Sequence, residues 1–303
     1  MRRLVDHRVS RRALLTAGAG VAAAAVGTSL GIEQGELPGR PWFQAHLGLN
    51  GAAGVVPDVR PGLVTSGSFT SERRLGAVTG WSIVRPPGED GPLPVVVALH
   101  GYRQDHATLT GPAFRIDRFL AAAMAAGVAP FAIAAVDGGT TYWHPRPSGE
   151  DAGAMVVDEF LPLLEERGLP TARIGLIGWS MGGYGALRLG GLLGPDRVAG
   201  VVATSPALWT DPDDASEVGF ADGSEYERFS ILGRQSDLAG IPVRVDCGTG
   251  DPFYRAVEAY VDGYPAAADV TATFEPGAHD AAYWRRMLPD ELAFLGSRLS
   301  APE

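Results

Sequence analysis

Three residues in the second half of the chain have the types and the order that serine-based acyl transfer requires. Ser180 lies in the pentapeptide GWSMG at residues 178–182, and Asp251 and His279 follow it along the chain. In this chemistry a serine oxygen attacks a carbonyl carbon, an imidazole accepts the serine proton, and a carboxylate orients the imidazole. We therefore predict Ser180 as the nucleophile, His279 as the general base and Asp251 as the residue that orients His279.

The segments around Ser180 favour this prediction over a chance match. The string Gly-x-Ser-x-Gly occurs around both Ser29 and Ser180. Only Ser180 follows an apolar run, residues 172–177, and precedes a helical pattern, residues 184–193. A serine flanked by glycines between a buried strand and a helix is typical of the tight turn that exposes a nucleophile. Ser29 has neither neighbour and is rejected.

Each of the three residues has a structural alternative. Ser180 and Asp251 could cap the helices that follow them, and His279 could be a solvated loop residue. Asp246 and Asp280 compete for the acidic role, but Asp246 falls within a predicted strand and Asp280 adjoins the histidine. The joint occurrence of the three types in the chain order Ser, Asp, His, each at a predicted strand end, favours the triad.

Acyl transfer also needs N–H donors where negative charge develops on the tetrahedral intermediate. The N–H of Met181, the residue after the nucleophile, is one candidate. The second is expected in the glycine-containing turn that follows residues 94–100, and we select the N–H of Tyr102. His100, at the start of this turn, is interpreted as a structural histidine.

These residues need a scaffold of alternating strands and helices. Candidate strands lie at Leu63–Thr70 and Ala77–Arg85. Apolar runs predict six further strands, at Pro94–His100, Pro130–Val136, Ala172–Ile177, Val198–Thr204, Ile241–Cys247 and Val270–Phe274. Helical patterns lie at Phe114–Ala126, Asp151–Arg167, Tyr184–Leu193, Tyr254–Tyr264 and Tyr283–Leu299. Strands almost free of polar residues that alternate with helices predict an α/β domain, with a mostly parallel sheet covered on both faces. Residues 206–240 break the rhythm, so an excursion over the strand ends is expected there, with a short helix near Tyr226.

With these motifs in place, residues 62–300 resemble the putative-esterase family of the α/β-hydrolases, which includes esterase D, feruloyl esterases and mycolyltransferases. The resemblance rests on Leu99-His100-Gly101, on GWSMGG at residues 178–183, on the Asp251 turn and on Gly277-Ala278-His279. It implies an α/β-hydrolase fold without a large lid domain. It also implies a serine esterase or acyltransferase with a rather open site, and it leaves the acyl group undefined.

Further side chains near the predicted strand ends are candidates for the substrate pocket. Trp179 adjoins the nucleophile, and Trp143 and Trp209 follow strand ends, where they could wall the pocket or pack in the core. Arg103 and Arg146 could face an anionic substrate group or pair with a neighbouring acid. No metal or organic cofactor is required by the predicted chemistry.

Composition excludes several other classes of protein. The chain has 303 residues, 46% of them hydrophobic and 20% charged, which is sufficient for a large buried core. A single cysteine excludes an intrachain disulfide, and the six histidines show no paired metal-ligand spacing. The formal net charge of −10 argues against a nucleic-acid partner. We expect a monomer that acts on a small-molecule ester.

The N-terminal residues predict an export signal. Arginines dominate residues 1–12, and an uncharged run from Ala13 to Gly31 follows. The segment SRRALL at residues 10–15 is similar to a twin-arginine signal, in which paired arginines precede a mildly hydrophobic stretch. We therefore divide the chain into a signal segment (1–31), an extended leader (32–61) and a catalytic domain (62–303). The export machinery would be a partner, and the mature protein would be either secreted or anchored to the membrane by this segment.

The function predicted from the sequence is that of an exported serine esterase that forms an acyl-enzyme on Ser180. An acyltransferase would use the same residues and pass the acyl group to an alcohol instead of water. A non-catalytic ligand-binding protein of the same fold is a third hypothesis, which the complete triad disfavours. A peptidase is disfavoured because the chain has no large cap domain to screen peptides.

Overall fold

The computed structural model describes residues 39–300, so the predicted signal segment (1–31) lies outside the described residues. The strands of the described chain are Val64–Ser71, Ala77–Val84, Val95–Leu99, Ala132–Val136, Ile174–Trp179, Val198–Thr204, Val243–Gly248 and Val270–Glu275, numbered β1 to β8 in this order. They form one eight-stranded sheet in the order β1-β2-β4-β3-β5-β6-β7-β8. The β1–β2 hairpin and the β2–β4 pair are antiparallel, and all later neighbours are parallel. The predicted α/β class and all eight predicted strands are confirmed.

Helices cover both faces of the sheet. Alternation along β3 shows this directly: Val95, Val97 and Leu99 point to one core, and Val96 and Ala98 to the other. On the first face pack Ala152–Met155, Leu161–Glu166, Met181–Leu193 and Tyr254–Asp262, and on the second pack Ile116–Ala125 and Ala281–Leu299. Apolar packing on both faces explains why the central strands carry almost no polar residues.

The long helix predicted at Asp151–Arg167 is interrupted. The helix Ala152–Met155 passes into a π-helical turn, Val156–Phe160, before the helix Leu161–Glu166. Pro162 lies in the first turn of that last helix and has no N–H to continue the hydrogen-bond ladder, which accounts for the irregular turn before it.

The predicted leader is only partly extended. Residues 32–38 lie outside the described residues, and Arg40–His46 form a helix, so the prediction of an extended segment is wrong there. Gly39 has a left-handed φ of 103°, and Pro41 in the first turn has a φ suited to helix initiation. Residues 50–61 have no regular structure, and their Gly54 N–H donates to the Ala282 carbonyl at 2.8 Å.

The described chain divides into residues 39–49 and residues 50–300, and the second unit contains the sheet. Within it, the predicted excursion lies between β6 and β7. It contains the helix Gly223–Phe229 and the 3-10 turns Pro212–Asp214 and Gln235–Leu238; a third 3-10 turn, His106–Leu109, follows β3. None of the helices within residues 39–300 combines the length and apolar character needed to cross a bilayer.

Candidate active site

Ser180 lies at the sharp turn between β5 and the helix Met181–Leu193, which we call the nucleophile helix. Its backbone has φ 57° and ψ −124°, a conformation that costs a non-glycine residue of the order of 1–3 kcal/mol. Two glycines make the turn possible. A Cβ at Gly178 would lie 2.1 Å from the Gly182 carbonyl oxygen, and a Cβ at Gly182 would lie 1.8 Å from that of Leu99. Any side chain at either position would force the nucleophile helix away from the sheet.

The structure brings Ser180, His279 and Asp251 into one chain of hydrogen bonds. His279 Nε2 is 2.9 Å from Ser180 Oγ, and His279 Nδ1 is 2.8 Å from Asp251 Oδ2. A carboxylate can only accept, so Nδ1 carries the proton and donates it to Asp251. Nε2 is then an acceptor for the Ser180 hydroxyl. This is the arrangement in which an imidazole can remove the serine proton.

Two neighbouring loops hold Asp251 beside His279. Gly250 N–H, in the loop after β7, donates to the Gly277 carbonyl in the loop after β8 at 2.8 Å. Asp251 is 3% exposed, and its second oxygen, Oδ1, accepts from the Phe253 N–H at 2.9 Å. Both carboxylate oxygens therefore have partners, and the side chain is fixed in one orientation.

The two competing aspartates have other partners. Asp246 lies within β7 and pairs with Arg244, whose Nε is 2.7 Å from Asp246 Oδ2. Asp280 caps the helix Ala281–Leu299 by accepting from the Ala282 and Tyr283 N–H groups. Neither carboxylate is hydrogen-bonded to His279.

Of the two N–H groups predicted to stabilise the oxyanion, one follows the nucleophile directly in the chain and the other belongs to a turn close to it. Met181 is the first residue of the nucleophile helix, and an N–H at this position has no acceptor within the helix. Tyr102 lies in the turn after β3, and no group within residues 39–300 accepts a hydrogen bond from its N–H. The turn is close to the serine, because a Cβ at Gly101 would lie 3.4 Å from Ser180 Cβ.

His100 has the structural role predicted for it. The side chain is 1% exposed, its Nδ1 lies 2.8 Å from the Gly101 carbonyl oxygen, and its Nε2 accepts from the Gly138 N–H at 2.9 Å. Burial lowers the pKa of the imidazole. A neutral ring with its proton on Nδ1 satisfies both contacts, so His100 joins the loops after β3 and β4.

Two of the predicted pocket tryptophans belong to the core instead. Trp179 is 1% exposed and stacks on Phe114, with ring centroids 4.3 Å apart. Trp143 is fully buried beneath Gly138 and Gly185, where added Cβ atoms would lie 2.3 and 2.6 Å from its ring. The pocket assignment is therefore wrong for both residues. The two glycines make the space for the Trp143 indole, and their link to it could not be read from the sequence.

Trp209 is half-buried on the side of the site next to His279. The Trp209 and Phe253 rings meet edge to face, with their centroids 5.2 Å apart, and the centroids of the Phe253 and His279 rings are also 5.2 Å apart. Trp284 contacts His279 at 5.1 Å. Sequence reasoning missed Phe253 and Trp284, although both lie close in the chain to predicted triad residues, where such packing partners could be sought.

The two arginines considered for an anionic substrate group differ in their charged partners. Arg146 pairs with Glu225 at 3.6 Å, as the alternative interpretation expected. Arg103 is exposed, with its guanidinium carbon 5.2 Å from the centre of the Tyr102 ring. Across the described part of the chain, no carboxylate lies within 4.0 Å of the Arg103 guanidinium.

The described residues also bear on the expectations about metal binding and about the single cysteine. In residues 39–300, no three His, Cys, Asp or Glu side chains are grouped so that they could hold a metal ion. Cys247 is buried near the end of β7, as predicted for a small apolar side chain.

Solved structures with the same fold include several esterases and other hydrolases. A ferulic acid esterase is 21% identical, with a TM-score of 0.67 over 79% of this chain and 100% of that chain. S-formylglutathione hydrolase from Staphylococcus aureus is 18% identical, with a TM-score of 0.62 over 77% of this chain and 98% of that chain. The corresponding enzyme from Agrobacterium tumefaciens is 21% identical, with a TM-score of 0.60 over 80% and 98% of the two chains. At these identities the likeness shows the α/β-hydrolase fold.

No curated protein matches the chain. The family described as "Putative esterase" matches residues 73–295, a region that contains Ser180, Asp251 and His279 together with seven of the eight strands. The chain therefore belongs to the putative esterase family of α/β-hydrolases.

Proposed function

We propose that this protein hydrolyses carboxylic esters of small molecules through an acyl-enzyme formed on Ser180. The observation that supports the proposal most strongly is the continuous hydrogen-bond chain from Ser180 Oγ through His279 to Asp251, at 2.9 and 2.8 Å. Membership of an esterase family agrees with it.

In the first half of the reaction, Ser180 Oγ attacks the ester carbonyl carbon while its proton passes to His279 Nε2. The carbonyl π electrons move to oxygen, and the Met181 and Tyr102 N–H groups donate to the resulting oxyanion. The intermediate then collapses, the bond to the alcohol oxygen breaks, and His279 returns the proton to the departing alcohol. The acyl group remains on Ser180 as an ester.

In the second half, water replaces the alcohol. His279 Nε2 removes a proton from the water as its oxygen attacks the acyl carbon, and the same two N–H groups stabilise the second oxyanion. Collapse releases the carboxylic acid and returns the proton to Ser180. Asp251 remains ionised throughout and stabilises the His279 imidazolium, an effect strengthened by the burial of its carboxylate.

Aromatic side chains give the site an apolar wall beside His279. Phe253 contacts the imidazole, and the half-buried Trp209 packs against Phe253. The exposed Arg103 lies next to Tyr102, in the turn after β3. We therefore expect the enzyme to accept esters with an apolar acyl group, a class that includes aromatic acids.

The test is the hydrolysis of p-nitrophenyl esters with acyl chains of increasing length. The wild type is compared with Ser180→Ala and with a control, Ser297→Ala, whose position is exposed on the last helix. The Ser180 variant should lose at least about 10³-fold in kcat/KM, and the control should match the wild type. A fluorophosphonate should label Ser180 in the wild type and in the Ser297→Ala control, and should leave Ser180→Ala unlabelled. Equal activity in Ser180→Ala would contradict the site, and absence of both turnover and labelling would contradict the function.

The same assay separates hydrolysis from acyl transfer. Addition of glycerol or a sugar as acceptor gives a new ester if the acyl-enzyme reacts with alcohols in preference to water. Free acid as the main product with acceptor present supports a hydrolase. A new ester as the main product would make the protein an acyltransferase.

We also propose export by the twin-arginine route, on the basis of the N-terminal sequence. Replacement of both Arg11 and Arg12 by lysine should retain the protein in the cytoplasm, whereas the wild type should reach the extracytoplasmic fraction. Unchanged distribution between the fractions would contradict this route.

A further inference from the structure

Gln104 closes the turn that carries Tyr102. The Gln104 N–H donates to the Gly101 carbonyl at 3.2 Å, and the Gln104 side chain returns to the same residue, with its Oε1 accepting from the Gly101 N–H at 2.9 Å. Arg103, the third residue of the turn, has φ 60°. A positive φ at this position is uncommon for arginine, so interactions around the turn must maintain it.

The same oxygen also binds the strand that carries the nucleophile. Trp179 Nε1–H donates to Gln104 Oε1 at 2.6 Å, and Trp179 is the residue before Ser180. Both partners of this atom are N–H donors, so it must be the carbonyl oxygen of the amide, and the amide orientation is fixed. A single acceptor thus connects the turn after β3 to the end of β5.

This connection determines which N–H groups are available to an oxyanion. The Gly101 N–H is occupied by Gln104, and the Tyr102 N–H has no acceptor within residues 39–300. The turn is held next to the nucleophile, where a Cβ at Gly101 would be 3.4 Å from Ser180 Cβ. An error of about 1 Å in such a donor is sufficient to lower the rate by about 100-fold.

We propose that Gln104 is a positioning residue for the reaction: its Oε1 occupies the Gly101 N–H and fixes the turn to Trp179, so that the Tyr102 N–H points to the oxyanion. This inference rests on the proposed function. Gln104 itself touches no reacting atom, and its contribution should appear in the transition state and not in substrate binding.

The test compares Gln104→Met, which keeps the side-chain length without the acceptor, with Gln235→Met. Gln235 is buried, whereas Gln104 is half-buried, and the Gln235 amide donates to the Tyr260 carbonyl at 2.9 Å and not to a triad residue, so it controls for the loss of a hydrogen-bonded side-chain amide. We expect kcat to fall about 10- to 100-fold in Gln104→Met, with KM within about threefold of the wild type. The inhibition constant of a trifluoromethyl ketone, which forms a tetrahedral adduct on serine, should rise by the same factor as kcat/KM falls.

Two further measurements separate positioning from a general loss of structure. Fluorophosphonate should still label one serine per chain in Gln104→Met, but more slowly, whereas a misfolded fraction would lower the stoichiometry. If Gln104→Met shows no cooperative melting, Gln104→Asn replaces it, since its shorter amide cannot reach both Gly101 and Trp179.

The possible outcomes are distinct. A wild type that turns over esters, together with a Gln104 variant whose kcat and inhibition constant stay within threefold of wild type, overturns the Gln104 proposal alone. Equal losses in the Gln104 and Gln235 variants, or reduced labelling stoichiometry, also overturn it. A wild type that neither hydrolyses esters nor reacts with the fluorophosphonate contradicts the proposed function itself.

Discussion

Asp251 binds His279 with one carboxylate oxygen and its own loop with the other. Oδ2 lies 2.8 Å from His279 Nδ1, while Oδ1 accepts from the Phe253 N–H at 2.9 Å. The backbone contact fixes the direction of the carboxylate, and the carboxylate in turn fixes the proton of the imidazole on Nδ1. The position of the Ser180 proton acceptor therefore depends on a buried residue that never touches the substrate.

Replacement of Asp251 by asparagine tests this relationship. The amide group can place an N–H toward His279 Nδ1, which favours the tautomer with its proton on Nε2, the atom that must accept from Ser180. We expect kcat to fall by about 10³- to 10⁴-fold with little change in KM. The control is Asp280→Asn, because asparagine also caps helices well and Asp280 is not bonded to His279. Similar kcat values for the two variants would contradict the assigned role of Asp251.

The strained backbone of Ser180 gives a prediction about stability. Alanine at this position keeps the unfavourable φ of 57°, whereas glycine adopts it without strain. We expect Ser180→Gly to be more stable than Ser180→Ala by about 1 kcal/mol, or a Tm difference of roughly 2–4 °C, with both variants inactive.

Ser297 provides the reverse comparison, because it lies in the last turn of the last helix and is not among the residues with positive φ. There, the Ser297→Gly variant should be less stable than the Ser297→Ala variant, by up to about 1 kcal/mol. Differential scanning calorimetry of the four variants decides the question. The same order at both positions would show that the Ser180 backbone is not strained.

Local patterns in the sequence identified the elements that carry the site but not the contacts between them. The predicted bounds of all eight strands agree with the structure to within two residues. The central strands were accessible as apolar runs because strands buried on both faces admit few polar residues, whereas the edge strands β1 and β8 are exposed or half-buried over most of their length and carry more polar residues. The nucleophile helix begins at Met181, three residues before its predicted start at Tyr184, because Gly182 and Gly183 are poor helix formers and hide the beginning of the pattern.

Long-range packing could not be predicted in the same way. The position of Trp143 after a strand end left both the pocket and the core open, and the structure buries it against Gly138 and Gly185, the latter 42 positions away in the chain. Gln104 was overlooked because its significance depends on Trp179, which is 75 residues distant. The three triad residues were accessible because the fold fixes both their order and the strand ends that carry them.

His144 predicts a loss of stability in mild acid. The imidazole is fully buried between Phe220 and Phe229, and burial lowers its pKa from 6.5 to about 4, although the carbonyl groups of Pro145 and Gly219 oppose this. The unfolded chain then binds more protons than the folded chain between these values. The contribution of neutral His144 to the free energy of unfolding is complete above pH 6.5. It is lost as the pH falls toward 4, and the total loss is about 3 kcal/mol.

Thermal unfolding between pH 7 and pH 4 measures this contribution. The decrease in Tm over this range should be smaller in His144→Gln than in the wild type, whatever the absolute stability of the variant. His46 is exposed, so His46→Gln should retain the wild-type slope. Parallel Tm profiles for His144→Gln and the wild type would show that another group causes the acid sensitivity.

Trp209 is expected to determine acyl preference. Its ring packs on Phe253, which contacts the catalytic imidazole, so the indole extends the apolar wall away from His279. In Trp209→Ala, KM for a long-chain or aromatic acyl ester should rise by about tenfold, since burial of such a side chain contributes about 1–3 kcal/mol, while acetate esters should be little affected. Trp42→Ala, at an exposed tryptophan in residues 39–49, is the matched control. Equal effects on short and long acyl chains would contradict the assignment.

A buried pair of acids next to β7 gives the last prediction. Glu291, from the last helix, accepts a hydrogen bond from Thr204 Oγ1 at 2.5 Å, and burial together with the neighbouring Asp246 raises its pKa well above 4.5. Asp246 is paired with Arg244, and this contact opposes the effect of burial on its own pKa. We therefore assign the proton to Glu291 and the negative charge to Asp246.

This assignment makes the two acids respond differently to amide substitution. The folded chain holds a proton on Glu291 that the unfolded chain releases above pH 4.5. The contribution of Glu291 to the free energy of unfolding is therefore complete below that pH and declines as the pH rises toward the raised pKa. Glu291→Gln removes this decline and should gain stability relative to the wild type as the pH is raised from 5 to 9. Asp246→Asn should instead lose about 3 kcal/mol at every pH, because the Arg244 guanidinium loses its buried carboxylate partner and keeps the Thr273 hydroxyl at 3.5 Å and the exposed Asp290 at 3.6 Å. Urea unfolding at pH 5, 7 and 9 distinguishes the cases, and the opposite pattern would place the charge on Glu291.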